Sequence, residues 1–303
     1  MKIRKEKSGL HLFERKSGIH VLFDEIKFNN CNYILSPRTM SIALTNRCNL
    51  NCAFCYANKD DKIADFNFLK VFCKKIDELG VLEITLGGGE PFLYPNLIEF
   101  CNWVWKNTAL GINITTNASL IDNEKVAKLK DVVSSIRVSI EAIDKEYENI
   151  RNVDFNTIRQ SILLLKKNKI ITSVNCTVLK GKVFNLENVI KFAIKNKLND
   201  VLIIAEHDKG TILLNNEELR EISKIIQKYQ NKIQLNVTDA LARLLDIDIL
   251  QDEDKEEFSF SHLSVDKKIK NNSYLSNGAF IDNIENLKNI FINQYKQLHK
   301  EKS

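Results

Sequence analysis

Cys48-Asn49-Leu50-Asn51-Cys52-Ala53-Phe54-Cys55 is the stretch on which the reading of this chain turns. Its C-x3-C-x2-C spacing offers three thiolates from one tight loop, close enough to hold three corners of a cubane iron–sulfur cluster. Such cubanes normally take four protein thiolates. Three leave one iron open to a small molecule, much as an open position distinguishes a catalytic zinc site from a structural one. The competing reading is a zinc ion on the three cysteines plus a distant histidine, although zinc sites favour C-x2-C pairs. Residues 39–44 read as a strand that feeds directly into this loop.

Working outward, residues 82–86, 112–116, 135–140, 172–179 and 201–205 also read as strands. Helical spacing falls between them, at 69–79, 96–105, 123–129, 155–167 and 186–196. Strand and helix in alternation argue an α/β chain with a parallel βα architecture. Six such units in about 170 residues are too few for a closed eight-stranded barrel. Ahead of them, 10–14 and 19–23 alternate around Lys16-Ser17-Gly18, the pattern of a β-hairpin. The expected division is an N-terminal hairpin extension (1–37), a βα core (38–237) and a small C-terminal extension (238–303).

Gly87-Gly88-Gly89-Glu90-Pro91 follows the second strand directly. Glycines let a backbone approach a ligand closely, and Glu90 adds an acceptor. The cysteine spacing, Phe54 before the last cysteine and this motif one βα unit later resemble the radical S-adenosylmethionine (SAM) superfamily. The resemblance covers about residues 39–205. It implies an open (βα)6 partial TIM barrel with its chemistry at the C-terminal ends of the strands. It implies a [4Fe–4S] cluster on Cys48, Cys52 and Cys55, with SAM chelated at the open iron. Reductive cleavage of SAM there gives a 5′-deoxyadenosyl radical that abstracts a substrate hydrogen.

The resemblance also implies SAM contacts. Phe54, Gly88, Gly89 and Glu90 belong to the two motifs, and the backbone and acid of the second meet the methionine amino group. Asn117 ends the third strand in Thr115-Thr116-Asn117-Ala118, where the family often has Thr-Asn-Gly. Ser139 ends the fourth and is similar to a serine that touches the SAM ribose or carboxylate, with Glu141 the next inward acid. Arg151 looks like the arginine that grips the SAM carboxylate by two parallel hydrogen bonds. Asn152 stands where the family's glycine follows it. Val178 and Leu179, with residues 201–204, would form a wall for the adenine.

Composition bounds the rest. The 303 residues are 44% hydrophobic, enough for a sizeable core. The charge of +5 balances 44 basic against 39 acidic residues, with no dense basic block, which argues against a nucleic-acid partner. No signal peptide and no membrane span are read. Seven cysteines without a disulfide pattern fit a reducing, cytoplasmic setting. Residues 252–257 read as a solvated charged linker, and no cysteine follows Cys176, so the tail offers no thiolates for an auxiliary cluster.

Two further residues are catalytic candidates. Cys176, on the fifth strand, would return a hydrogen atom to a substrate radical if its thiol faces the barrel interior. His207 opens onto the barrel mouth as a proton-transfer group. Cys73 and Cys101 read as helix core, Cys31 as either core or exposed, and Tyr56 as packing over the cluster. The leading substrate is a ribosomally made peptide, epimerised or crosslinked, for which the hairpin could offer a sheet edge. The alternative is a small molecule such as a nucleotide, sugar or amino acid. A non-catalytic metal-binding protein is the reading from another class. Flavodoxin or ferredoxin is the expected electron donor.

Overall fold

Local sequence accounts for each element of the computed structural model, which describes residues 1–26, 28, 33–55, 57, 59–208, 210–245 and 258–300. Cys31, Tyr56 and the run 252–257 lie outside the described residues. Three strands come first, β1 (Lys2–Lys5), β2 (Leu10–Glu14) and β3 (Ile19–Phe23), joined antiparallel in that order. The Glu14 carboxylate ties the hairpin turn by accepting from the Lys16 and Ser17 amides at 3.0 and 2.6 Å.

The core then alternates: β4 (Thr39–Thr45), α1 (Phe66–Glu78), β5 (Glu83–Gly88), α2 (Leu97–Asn107), β6 (Gly111–Thr116) and α3 (Asn123–Leu129). It continues with β7 (Ser135–Ser139), α4 (Asp144–Arg151), α5 (Phe155–Lys167), β8 (Ile171–Val178), α6 (Phe184–Lys195) and β9 (Asp200–Ala205). Strands β4 to β9 lie parallel, each beside its predecessor. Helix α1 shows why the helices form: Asp65 caps the Phe68 amide at 2.6 Å, and Leu69, Phe72, Cys73 and Ile76 share its buried face. Cys101 is likewise buried on α2.

The chain continues through β10 (His207–Asp208), β11 (Thr211–Ile212), α7 (Asn216–Tyr229), β12 (Gln234–Val237) and α8 (Asp239–Ala242). It closes with β13 (Phe260–Leu263), β14 (Lys268–Lys270), β15 (Ala279–Phe280) and α9 (Leu287–Lys300). β12 adds in parallel to β9, and β13 adds in parallel to β4 at the opposite end. The main sheet therefore runs β12-β9-β8-β7-β6-β5-β4-β13-β14-β15 and stays open, a partial barrel larger than the six expected strands. No helix among the described residues is long and apolar enough to cross a membrane.

Strand alternation sorts side chains onto two faces. Leu86, Ile114, Val138, Val174, Cys176 and Ile203 are fully buried on the helix side. Each aliphatic side chain there contributes about 1.5–3 kcal/mol by leaving water. The other face lines the lumen with Thr85, Asn113, Arg137, Asn175 and Leu202.

The N-terminal sheet seals the lumen's floor, at the N-terminal ends of the barrel strands. The buried Arg4 donates to Glu6, to Ser36, and to the Pro37 and Gly80 carbonyls. Arg38 also grips Glu6, and His11 reaches Glu6 at 3.3 Å and His20 at 3.0 Å. Phe13 packs where only a glycine fits, since a Cβ on Gly111 would stand 2.6 Å from its ring. The hairpin is thus placed at the end away from the cysteine loop. Buried charge pairs hold it to the floor, and β1 and β3 are the edge strands of this sheet.

Candidate active site

The cysteine loop hangs from the end of β4. A register irregularity between Ala43 and Thr45 turns the chain out of the sheet. Thr45 Oγ1 then donates to the Lys62 carbonyl and accepts from the Arg47 amide at 3.0 Å, tying both ends of the loop together. Cys48 is half-buried, Cys52 buried and Cys55 exposed. The Cys55 amide donates to the Cys52 carbonyl, which folds the last three residues into a turn. Burial pushes the Cys48 and Cys52 thiols up, with Arg151 opposing the rise at Cys52. Among the described residues no three His, Cys, Asp or Glu side chains converge on a single-ion cage.

The glycines divide their labour differently from the sequence reading. A Cβ on Gly88 would stand 2.4 Å from the Thr45 carbonyl oxygen, and one on Gly89 2.1 Å from that of Arg47. Gly88 also sits at φ +110°, a region reserved to glycine. Both are bare because the cysteine loop packs on them, and amides 89 and 90 donate back to the Thr45 and Arg47 carbonyls at 2.7 and 2.8 Å. Gly87, which the sequence reading passed over, has nothing within 4 Å of its Cβ position and faces the lumen. Of the three glycines, Gly87 is therefore the one whose Cβ side is open.

Glu90 is buried, and its carboxylate accepts from Thr116 Oγ1 (2.7 Å) and from the Phe92 and Asn117 amides (3.1 and 2.9 Å). It staples the end of β5 to the end of β6, and burial raises its pKa against those donors. These three bonds fix the orientation of the carboxylate at the strand ends. Asn117 is also committed: its Nδ2 donates to Asn49 Oδ1 at 3.0 Å and its Oδ1 accepts from Ser119. It holds the cysteine loop against β6. Ala118, standing for the family's glycine, takes φ +62°, and Asn152 takes φ +56° as the cap closing α4. Both positions keep the left-handed backbone; asparagine adopts it easily, alanine at a cost.

The model of the radical SAM superfamily matches residues 42–193. This chain belongs to the radical SAM superfamily. An uncharacterized protein of Methanocaldococcus jannaschii is 32% identical over 62% of this chain and 71% of its own length. A probable GTP 3′,8-cyclase of Sulfurisphaera tokodaii is 26% identical over 66% of this chain and 67% of its own. The subtilosin biosynthesis protein AlbA of Bacillus subtilis is 27% identical over 54% of this chain, a match that spans 38% of AlbA. Among solved structures, SuiB of Streptococcus suis bound to SAM shares the fold with a TM-score of 0.75 at 16% identity, over 97% of this chain and 88% of its own. SuiB has also been solved with its precursor peptide SuiA.

The residues present fit the groups this radical SAM enzyme requires. Three free cysteines on one loop give the donor set, and the space in front of Gly87 gives the adjoining cradle. When bound there, the [4Fe–4S] cluster supplies the electron that cleaves SAM. Ser139 faces the lumen at the end of β7, opposite Asn175 on β8. Of the adenine wall, Leu202 and Ile204 face the lumen, whereas Val178 and Val201 are buried on the helix side.

Arg151 is held by Glu141. Its Nε and Nη2 donate to the two oxygens of Glu141 at 2.5 and 2.6 Å, and both side chains are buried. Burial opposes the Arg151 charge, but Glu141 outweighs it and raises the pKa further. Its Nη1 lies 3.7 Å from Cys52 Sγ, and the Phe54 ring sits 5.4 Å from its Cζ. Glu141 is thus the counter-ion of Arg151 on the Nε–Nη2 edge, and the Nη1–Nη2 edge of the guanidinium keeps N–H donors that Glu141 does not use.

Cys176 is corrected too. It lies on the helix side of β8, fully buried, with Asn175 and Thr177 on the lumen face, so its thiol cannot meet a substrate radical. His207 does stand past the end of β9, its Nδ1 donating to the Ala205 carbonyl at 2.7 Å and its ring stacked on Tyr274 at 4.4 Å. The sequence reading missed the lumen's polar girdle. Arg137 pairs with Asp200 at 2.8 Å, and Ser173 and Asn236 also donate to Asp200. Polar residues at alternate positions of otherwise apolar strands, 135, 137 and 139 or 173, 175 and 177, were the signal.

Proposed function

We propose that this radical SAM enzyme abstracts a hydrogen from a ribosomally made peptide, leading to an epimerised residue or a crosslink. The observation that carries the reading is the frame of the barrel mouth. His207 and Tyr274 stack there from two elements outside the segment that the superfamily model matches. The likeness to SuiB runs over 97% of the chain and includes those elements, and the sequence likeness to AlbA points the same way. In this reading residues 38–237 form the catalytic core, 1–37 its floor and 238–303 the part that meets substrate. A cytoplasmic flavodoxin or ferredoxin donates the electron.

A second reading, a small-molecule substrate, is favoured by the likeness to the GTP 3′,8-cyclase. The test uses anaerobically reconstituted protein with a strong reductant, reading 5′-deoxyadenosine by mass spectrometry. In deuterium oxide, a precursor peptide that stimulates cleavage and gains deuterium or loses two hydrogens supports the peptide reading. Stimulation by a nucleotide and by no peptide overturns it.

A further inference from the structure

The Arg151 guanidinium carries five N–H donors on three nitrogens. Two of the nitrogens are held by Glu141, and the third, Nη1, is 3.7 Å from Cys52 Sγ, within reach of an N–H···S hydrogen bond. The plane is flanked by the Phe54 ring at 5.4 Å and the Tyr147 ring at 5.9 Å, measured from Cζ. Arg151, Glu141, Tyr147 and Cys52 are all buried. Nothing else in the arrangement uses the remaining edge of the fork. The charge is therefore aimed at the one cysteine of the three that solvent does not reach.

We propose that Arg151, oriented by Glu141, sets the reduction potential of the cluster through Cys52. The inference rests on the cluster assignment and is independent of whether the substrate is a peptide. Reduction adds one electron, and so one negative charge, to the cluster. A donor and a positive charge at a ligating sulfur stabilise that added charge more than they stabilise the oxidised state. In a buried setting the effect is weakly screened. Glu141 locks the rotamer and tempers the charge, which makes the pair a positioning device for the sulfur contact.

The test is an EPR-monitored redox titration of the reconstituted protein in the absence of SAM. Arg151→Gln should lower the ratio of reduced to oxidised cluster about tenfold at a given poise, which for a one-electron couple is about 59 mV toward negative potential. Arg151→Lys should shift it less. An unchanged potential in Arg151→Gln would overturn the proposal. Should Arg151→Gln fail to hold a cluster, protein labelled with nitrogen-15 at arginine, in an Arg47→Lys background, provides the second measurement. A weak nitrogen coupling to the reduced cluster is expected, and its absence refutes the contact.

Discussion

Replacing residues 87, 88 and 89 by alanine one at a time separates glycines bare for packing from the glycine bare for a ligand. At Gly89 the new Cβ would stand 2.1 Å from a backbone oxygen, where ordinary contact begins at 3.4 Å. The loop at Arg47 must then retreat by more than an ångström. Neither obstacle is a side chain that can swing aside, because amides 89 and 90 bond to these same carbonyls. Overpacking costs about 1–3 kcal/mol, and weakening the two hydrogen bonds adds about 1 kcal/mol each, for about 3–5 kcal/mol in all. Gly88→Ala adds about 1–2 kcal/mol for its left-handed backbone. Against a total stability of about 5–15 kcal/mol, these variants stay folded with a displaced cysteine loop. Gly87→Ala meets no atom within 4 Å and should change stability by less than about 0.5 kcal/mol. Its methyl nevertheless enters the cradle and should weaken SAM binding about tenfold, or about 1.4 kcal/mol. Urea unfolding, iron per chain after anaerobic reconstitution and SAM affinity by dialysis read the three effects. Full iron and an unshifted midpoint in Gly89→Ala, or wild-type SAM affinity in Gly87→Ala, would refute this account.

Three other outcomes are expected. Burial alone would raise the Glu6 pKa, but His11, Arg38 and Arg4 outweigh it and hold the carboxyl well below its ordinary range. A depressed folded value stabilises the protein above the ordinary carboxylate pKa of about 4.3, and that stability, on the order of 2 kcal/mol, drains as pH falls below it. Hydrogen exchange should show the N-terminal sheet opening first in acid, and Glu6→Gln should flatten the acid slope while costing about 3–5 kcal/mol at neutral pH. Ala118→Gly relieves about 1 kcal/mol of left-handed strain and loses about 0.8 kcal/mol of buried methyl, so its urea midpoint should barely move; a loss above about 2 kcal/mol would contradict the strain. Cys176→Ala should cost about 1 kcal/mol of stability and leave product formation intact, and loss of product with normal 5′-deoxyadenosine would restore the thiol as a hydrogen donor.

The six barrel strands were legible because each is a short apolar run bounded by a helix, a pattern carried by local sequence. β13 was not, since Phe260 pairs with Thr39 across the whole core and four residues give no local sign of so distant a partner. Cys176 was misplaced because a strand's period tells which residues share a face, not which face the lumen takes; Asn175 and Thr177 beside it held the answer. Glu141 and Arg151 were both picked out, yet their mutual pairing depends on how α4 turns back over β7. Likewise, the sequence presents three glycines as equivalent, whereas the direction of a missing Cβ exists only in three dimensions.

The parallel pairing of β13 with β4 has a consequence for how the molecule is made. His262 meets Ser41 across 221 residues of chain, so one edge of the first barrel strand stays unpaired until the whole run from β5 to β9 has been synthesised. That strand carries the cysteine loop at its end. On the ribosome the loop's base therefore waits, half-built and exposed, while β5 to β9 assemble beside it. Iron delivered before residues 260–263 emerge would meet a loosely framed loop, and iron delivered afterwards a finished one. β13 thus completes the frame on which the cysteine loop sits.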